Sequence, residues 1–254
     1  MIMLEVKELV KSYGTGKNQH KVLRGVNFTI HKGEFVAVMG PSGSGKTTLL
    51  DCISRYKPFE GGEVLLNGKD LGKLNEKEMA KVRNEKVGFV FQDFMLLDGL
   101  TVFENVCVPQ VIKSEDCKNM EKRADKLLKL FDIGQIGTKY PSEISGGQKQ
   151  RAAVARALIN DPLMILADEP TGNLDSRSSE AVIEAFVTAK KDLGATTLMV
   201  THDSLSASYC DRVILMRDGV VCDEMVNRGN RRRFFNELMD VLRKLNGGES
   251  YDTQ

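Results

Sequence analysis

Residues 40–48 read GPSGSGKTT, set between an apolar run, FVAVM, and a stretch at helical spacing. Glycines in such a loop let backbone N–H groups close around a di- or triphosphate. A lysine at the end reaches the outer phosphates, and the following threonine hydroxyl suits Mg²⁺. The candidate phosphate-binding residues are therefore Gly40, Pro41, Ser42, Gly43, Ser44, Gly45, Lys46, Thr47 and Thr48. Strand, loop and helix are all in place, which argues against a chance glycine-rich turn.

A second cluster is acidic. LMILADE at 163–169 is an apolar strand-sized run that ends in two carboxylates. Asp168 is placed to hold Mg²⁺, and Glu169, pointing the other way, to polarise an attacking water. On its own such a pair could be a solvated strand end; beside a phosphate loop it implies hydrolysis. Gln92 closes the run VGFVF, where a polar side chain faces the ligand crevice of a parallel sheet and can sense Mg²⁺ or the attacking water. His202, after TTLMV, is placed to meet a terminal phosphate.

A third stretch, ISGGQKQR at 144–151, opens a helix with a second anion-grade start. Ser145 alone is a good N-cap. The two glycines, however, forgo about 1 kcal/mol each against alanine in a helix. Something must approach that backbone closely.

The elements that position these groups alternate. FVAVM, LMILA and TTLMV are continuously apolar, as central strands covered on both faces should be. Helices are predicted at about 46–54, 146–159 and 176–193. Residues 1–37 and 62–68 read as an antiparallel flap with turns at Gly14–Gly16 and Gly61–Gly62. Residues 101–131 are helical with no strand between, and Asp218–Gly219 predicts a hairpin. At the end, Phe234, Leu238, Leu242 and Leu245 share one helical stripe, whose expected partner is the core or a second protomer. The arginine-rich run 228–233 before it suits an anionic surface or a solvated turn equally well.

Composition narrows the class. The chain has 254 residues with 36 Lys+Arg against 35 Asp+Glu, a net charge of +1, so nothing favours nucleic acid as a partner. Five scattered cysteines without a C-x-x-C pair, and three histidines, fit neither a disulfide scaffold nor a zinc site. Cys52, behind the phosphate loop, reads as a small core residue. Glu5, Lys7 and Glu8 interrupt the N-terminal run, so no signal peptide is expected, and no apolar run is long enough to span a bilayer.

Taken in order and spacing, GPSGSGKTT, Gln92, ISGGQ, LMILADE, NLD (173–175) and His202 resemble the ATP-binding cassette (ABC) ATPases, with Ile144 where the family usually has leucine. The resemblance implies an α/β fold: a P-loop NTPase (RecA-like) core with an antiparallel β subdomain and an inserted α-helical subdomain. One unit over 1–254 is expected. About 1–92 and 160–226 form core plus β subdomain, 93–159 the helical subdomain and signature, and 228–246 a C-terminal helix.

By the same resemblance, Tyr13 stacks on adenine, Asp175 is the acid of the loop before the next helix, and Ser145, Gly146, Gly147 and Gln148 form a signature loop facing a partner's ATP. The implied ligands are ATP and Mg²⁺. The implied partners are a second copy of the chain and a transmembrane permease, which would hold the protein on the inner face of the membrane.

FVFQDFMLLDGLTVFENV and ADEPTGNLDS are similar to the macrolide-exporter, lipoprotein-release and antimicrobial-peptide group, and the tail FFNELMDVLRKLNGGE to the bacitracin-type branch. The rival from another class is a soluble ABC ATPase acting on nucleic acid or ribosomes. The single cassette, the short 92–145 stretch and the neutral charge all disfavour it. A P-loop kinase or GTPase leaves ISGGQ and His202 unexplained.

Overall fold

Two long runs of alternating burial open the chain. The computed structural model describes residues 1–14 and 16–245, so Thr15, inside the expected Gly14–Gly16 turn, lies outside the described residues. β1 (Ile2–Tyr13) and β2 (His20–His31) pair antiparallel, with Leu4, Val6 and Leu9 of one and Val26, Phe28 and Ile30 of the other turned inward. β3 (Phe35–Met39) follows and is buried throughout. The chain continues through α1 (Lys46–Ile53), β4 (Gly61–Leu66), β5 (Lys69–Asp70), α2 (Glu76–Glu85) and β6 (Val87–Val90). Helices α3 (Val102–Lys113), α4 (Cys117–Leu130) and α5 (Gly146–Leu158) come next, then β7 (Met164–Asp168), α6 (Ser176–Leu193) and β8 (Thr197–Val200). The last elements are α7 (Ser204–Ala207), β9 (Arg212–Arg217), β10 (Val220–Val226) and α8 (Arg231–Leu245).

These strands make two sheets. The antiparallel one has the order β2-β1-β4-β5; the other has the order β10-β9-β3-β8-β7-β6. In the second sheet every pairing is parallel except the β9–β10 hairpin. Its turn, Asp218–Gly219, has positive φ at both residues (51° and 80°), as a two-residue hairpin prefers.

The continuously apolar strands are split by their two-residue period between two cores. Phe35, Ala37 and Met39 of β3, Ile165 and Ala167 of β7, and Met199 of β8 face the helices α3–α6 and α8. Val36 and Val38, Met164 and Leu166, Leu198 and Val200 face α1, α2 and the antiparallel sheet. The amphipathic C-terminal stripe joins the first core: Phe234 and Leu238 are fully buried, and Leu242 and Leu245 pack against them. At the start of α8 the Arg231 guanidinium sits 4.2 Å from the Tyr209 ring. Asn246 and the rest of the NGGE tail lie outside the described residues.

Two features depart from the sequence expectation. α2 is a polar helix that buries only Met79 and Val82 and is held at its start by a reciprocal Asn75–Glu78 capping box. Gly61–Gly62 is the start of β4, not a turn. It lies opposite an irregularity in β1 at Glu8, whose φ is 46°. There the Lys7 and Glu8 carbonyl oxygens come within 2.4 Å of where a Gly62 Cβ would stand, and Gly62 has φ 90°. Gly62→Ala should therefore cost about 1–3 kcal/mol of stability by chemical denaturation; an unchanged midpoint would refute this account of the bulge.

Candidate nucleotide-binding site

Four adjacent parallel strands, β3, β8, β7 and β6, end along one edge of the sheet. Gly40 leaves the first, His202 the second, Asp168 and Glu169 the third, and Gln92 the fourth. Val38, Val200 and Asp168 lie level in the ladder. The expected cluster is thus assembled at the carboxyl edge, where α/β sheets bind ligands.

The phosphate loop is built for an anion. Gly45, the N-cap of α1, has no side chain to satisfy the first-turn N–H groups. Lys46 curls back so that its Nζ donates to the Gly40 carbonyl (2.8 Å) and the Pro41 carbonyl (3.0 Å). Burial lowers its pKa, with Glu169 and Asp168 pulling the other way. The Ser44 hydroxyl is buried without a partner. The loop is also tied sideways: Gly219 N donates to the Ser44 carbonyl (3.2 Å), and the Gly219 carbonyl accepts from Arg24 N (2.9 Å).

Asp168 is pushed up to about 6, first by burial and then by the charges of Glu169 and Asp51, against the Thr47 hydroxyl and Lys46. Its Oδ1 is buried with no hydrogen-bond partner. An orphaned carboxylate oxygen beside a threonine hydroxyl fits a hard divalent cation, which takes oxygen ligands. Glu169 has φ 45°, and its Oε2 accepts from His202 N (3.2 Å) and lies 2.9 Å from His202 Nδ1. The two residues expected to address water and terminal phosphate therefore meet each other.

Gln92 stands beyond the end of β6, in the loop that follows. Its Nε2 donates to Asn173 Oδ1 (3.1 Å), and Asn173 Nδ2 donates to Asp93 Oδ1 (2.9 Å). Asn173 is a residue the sequence reading passed over within NLD. Its neighbour Asp175 caps α6, accepting from Ser178 N (3.0 Å) and the Ser178 hydroxyl (2.7 Å), which lower its pKa. Tyr13 ends β1 on the other sheet, with Lys11 and Lys57 ammonium groups 5.2 and 5.5 Å from its ring centre.

The Ser145–Gln148 stretch is a closed cap. Ser145 Oγ accepts from Gln148 N, and Gln148 Oε1 accepts from Ser145 N. The N–H groups of Gly146 and Gly147 are left as the unclaimed donors of that turn. Both glycines are crowded by their own chain: a Cβ on Gly146 would stand 2.9 Å from Leu174, and one on Gly147 3.0 Å from Ser178. The close approach inferred from the sequence thus has a source within the chain. α5 packs on β6, the edge strand, whereas the phosphate loop leaves β3. β8 and β7 lie between them, so three strand spacings, about 14 Å, separate the two strands.

A family profile described as ABC transporter matches residues 23–172. The chain belongs to the ABC transporter ATP-binding family. It is 46% identical to the ABC transporter ATP-binding protein YxdL of Bacillus subtilis, over 96% of this chain and 95% of that protein. To the bacitracin export ATP-binding protein BceA of Halalkalibacterium halodurans it is 43% identical, over 97% of this chain and 98% of that one. The solved dimeric cassette MJ0796, in a post-hydrolysis state bound to ADP and Pi, superposes with a TM-score of 0.80 at 39% identity, covering 90% of this chain and all of the other. As an ABC cassette the chain binds ATP and hydrolyses it.

A raised native pKa at Asp168 means that the folded state holds a proton the unfolded chain has released between about pH 4 and pH 6. Stability contributed by this group is present below that window and is lost as pH rises through it. In metal-free protein, Asp168→Asn should raise the thermal midpoint at pH 8 and raise it by clearly less at pH 5, inside that window. Equal effects at both pH values would show that the native carboxyl titrates normally.

Proposed function

We propose that this chain works as an ATP-clamped homodimer that drives a separate membrane permease. The observation that carries the reading is the location of its two anion-grade helix starts. The uncapped start of α1 and the Gly146–Gly147 N–H groups of α5 are rooted three strands apart in one sheet. Two chains related by a two-fold axis would bring each signature turn to the other's phosphate loop, an isologous arrangement. The dimeric form of the MJ0796 cassette supports this reading.

In that pair Lys46, Ser42, Ser44 and the loop N–H groups hold the β- and γ-phosphates, and Tyr13 stacks on the base. Thr47, Asp168 and Gln92 would hold Mg²⁺, which would supply positive charge against the phosphates. Glu169 accepts the proton of the attacking water, and the bond it accepts from the His202 backbone N–H keeps the carboxylate oriented. His202, 72% exposed in its side chain, is free to turn toward the terminal phosphate. Ser145, Gly146, Gly147 and Gln148 of the second copy close the site, and Asp175 stiffens the loop beside it.

The whole of 1–254 forms one cassette in this reading: core and β part at about 1–92 and 160–226, helical part at 93–159, and α8 at the end. No helix among the described residues is long and apolar enough to cross a membrane, so attachment to the inner face of the membrane would come through the permease. Likeness to the bacitracin export ATP-binding protein BceA supports a role in resistance to antimicrobial peptides.

Glu169→Gln should keep ATP binding, accumulate an ATP-bound dimer on size-exclusion chromatography, and lower phosphate release by roughly a hundredfold or more. Rapid turnover in that variant would remove Glu169 from its role. Ser145→Arg should spare nucleotide binding to the monomer while abolishing both dimer and hydrolysis. A wild-type rate there would overturn the cross-chain site.

A further inference from the structure

Three residues of α5 outside the nucleotide-binding set hold the segment that carries Gln92. Gln150, fully buried, donates from Nε2 to the Phe91 carbonyl (3.0 Å). Further along the helix, the Arg156 guanidinium donates to the Phe94 carbonyl (2.8 Å) and to the Met95 carbonyl. The Lys149 ammonium lies 6.0 Å from the centre of the Phe94 ring. Gln92 is thus bracketed by a held carbonyl just before it and two held carbonyls just after.

The bracketed turn does not rest in that shape by itself. Phe94 and Met95 are consecutive bulky residues with φ 61° and 49°, in the left-handed region that such side chains occupy only when the surroundings hold them there. Arg156 is half-buried, and burial is what moves its pKa, downward; no charged neighbour contributes. A guanidinium withdrawn from water with only two carbonyls as acceptors is stabilised by that turn, and the turn by it. From the opposite side Asn173 bonds to Gln92 and Asp93. Further on, the Asn105 amide takes the carbonyls of Leu97, Leu100 and Thr101 and ties the rest of the loop to α3.

We propose that Arg156 is a positioning residue for ATP hydrolysis: by holding the Phe94–Met95 turn to α5, it sets where Gln92 stands and makes the signature helix and Gln92 shift as one piece. The inference rests on the role given above to Gln92 in the ATP site. Arg156 touches neither nucleotide nor reacting water; it acts through the two carbonyls.

The test is a double-mutant cycle on the full chain, with steady-state ATPase and binding of a fluorescent ATP analogue as readouts. Arg156→Ala should lower kcat roughly tenfold or more while nucleotide affinity stays within about twofold. Arg156→Lys, which keeps the charge and can reach one carbonyl, should recover part of that loss. The pair Gln92→Ala and Arg156→Ala together should be no slower than Gln92→Ala alone, because the second change acts through a group already gone.

Losses that multiply, or a wild-type kcat in Arg156→Ala, would overturn the proposal while leaving the role of Gln92 intact. A wild-type kcat in Gln92→Ala would remove that role and the proposal together. Circular dichroism checks the fold. Should the alanine variant not fold, the cycle is run with Arg156→Lys, where multiplying losses or a wild-type kcat again overturn the proposal.

Discussion

The double burial of β3, β7 and β8 is the constraint on which the rest depends. A strand covered on both faces cannot carry its chemistry along its length, so the polar groups are pushed to its ends. Because β3, β8, β7 and β6 run parallel and side by side, their carboxyl ends coincide. Gly40, His202, Asp168, Glu169 and Gln92 come from far-apart stretches of sequence, yet they meet because the apolar runs before them must share one sheet.

That edge is held in electrostatic tension. Lys46 and Asp168 are both drawn out of water, and each moves toward its neutral form. Lys46 spends its hydrogen bonds on the carbonyls of its own loop, Glu169 accepts from His202, and one Asp168 oxygen has nothing. Groups satisfied by internal stand-ins, next to one that is not, describe a site whose polar demands are met in full only by a charged ligand and its counter-ion.

Much of this was legible in the sequence. FVAVM, LMILA and TTLMV declare central strands because no solvated face interrupts them, and GPSGSGKTT declares its loop because lysine and glycines are needed together. What escaped was fixed by partners distant in sequence. α2 exposes most of its residues and is specified by the Asn75–Glu78 box and the burial of Met79 and Val82, too little for a periodic signal. Gly61–Gly62 looks like a turn, but its glycines answer to carbonyls across the β1 bulge. The signature glycines point to close approach, and local sequence could not say that Leu174 and Ser178 of the same chain provide it. Asn173 and Arg156 carry no motif weight alone; their partners are backbone and side-chain atoms 61 to 81 positions away.

The β9–β10 hairpin gives the phosphate loop a property of its own. Gly219 accepts from β2 with its carbonyl and donates to Ser44 with its amide, so one residue at a hairpin tip fastens the loop to both sheets. With Lys46 closing the loop from inside, its shape is set when the chain folds rather than when a nucleotide arrives. Little ordering entropy is then lost on binding at the phosphate end. With Tyr13 stacked on the base as proposed, discrimination among nucleotides that share a triphosphate would fall to the other end of the ligand, at the exposed ring beside Lys11 and Lys57.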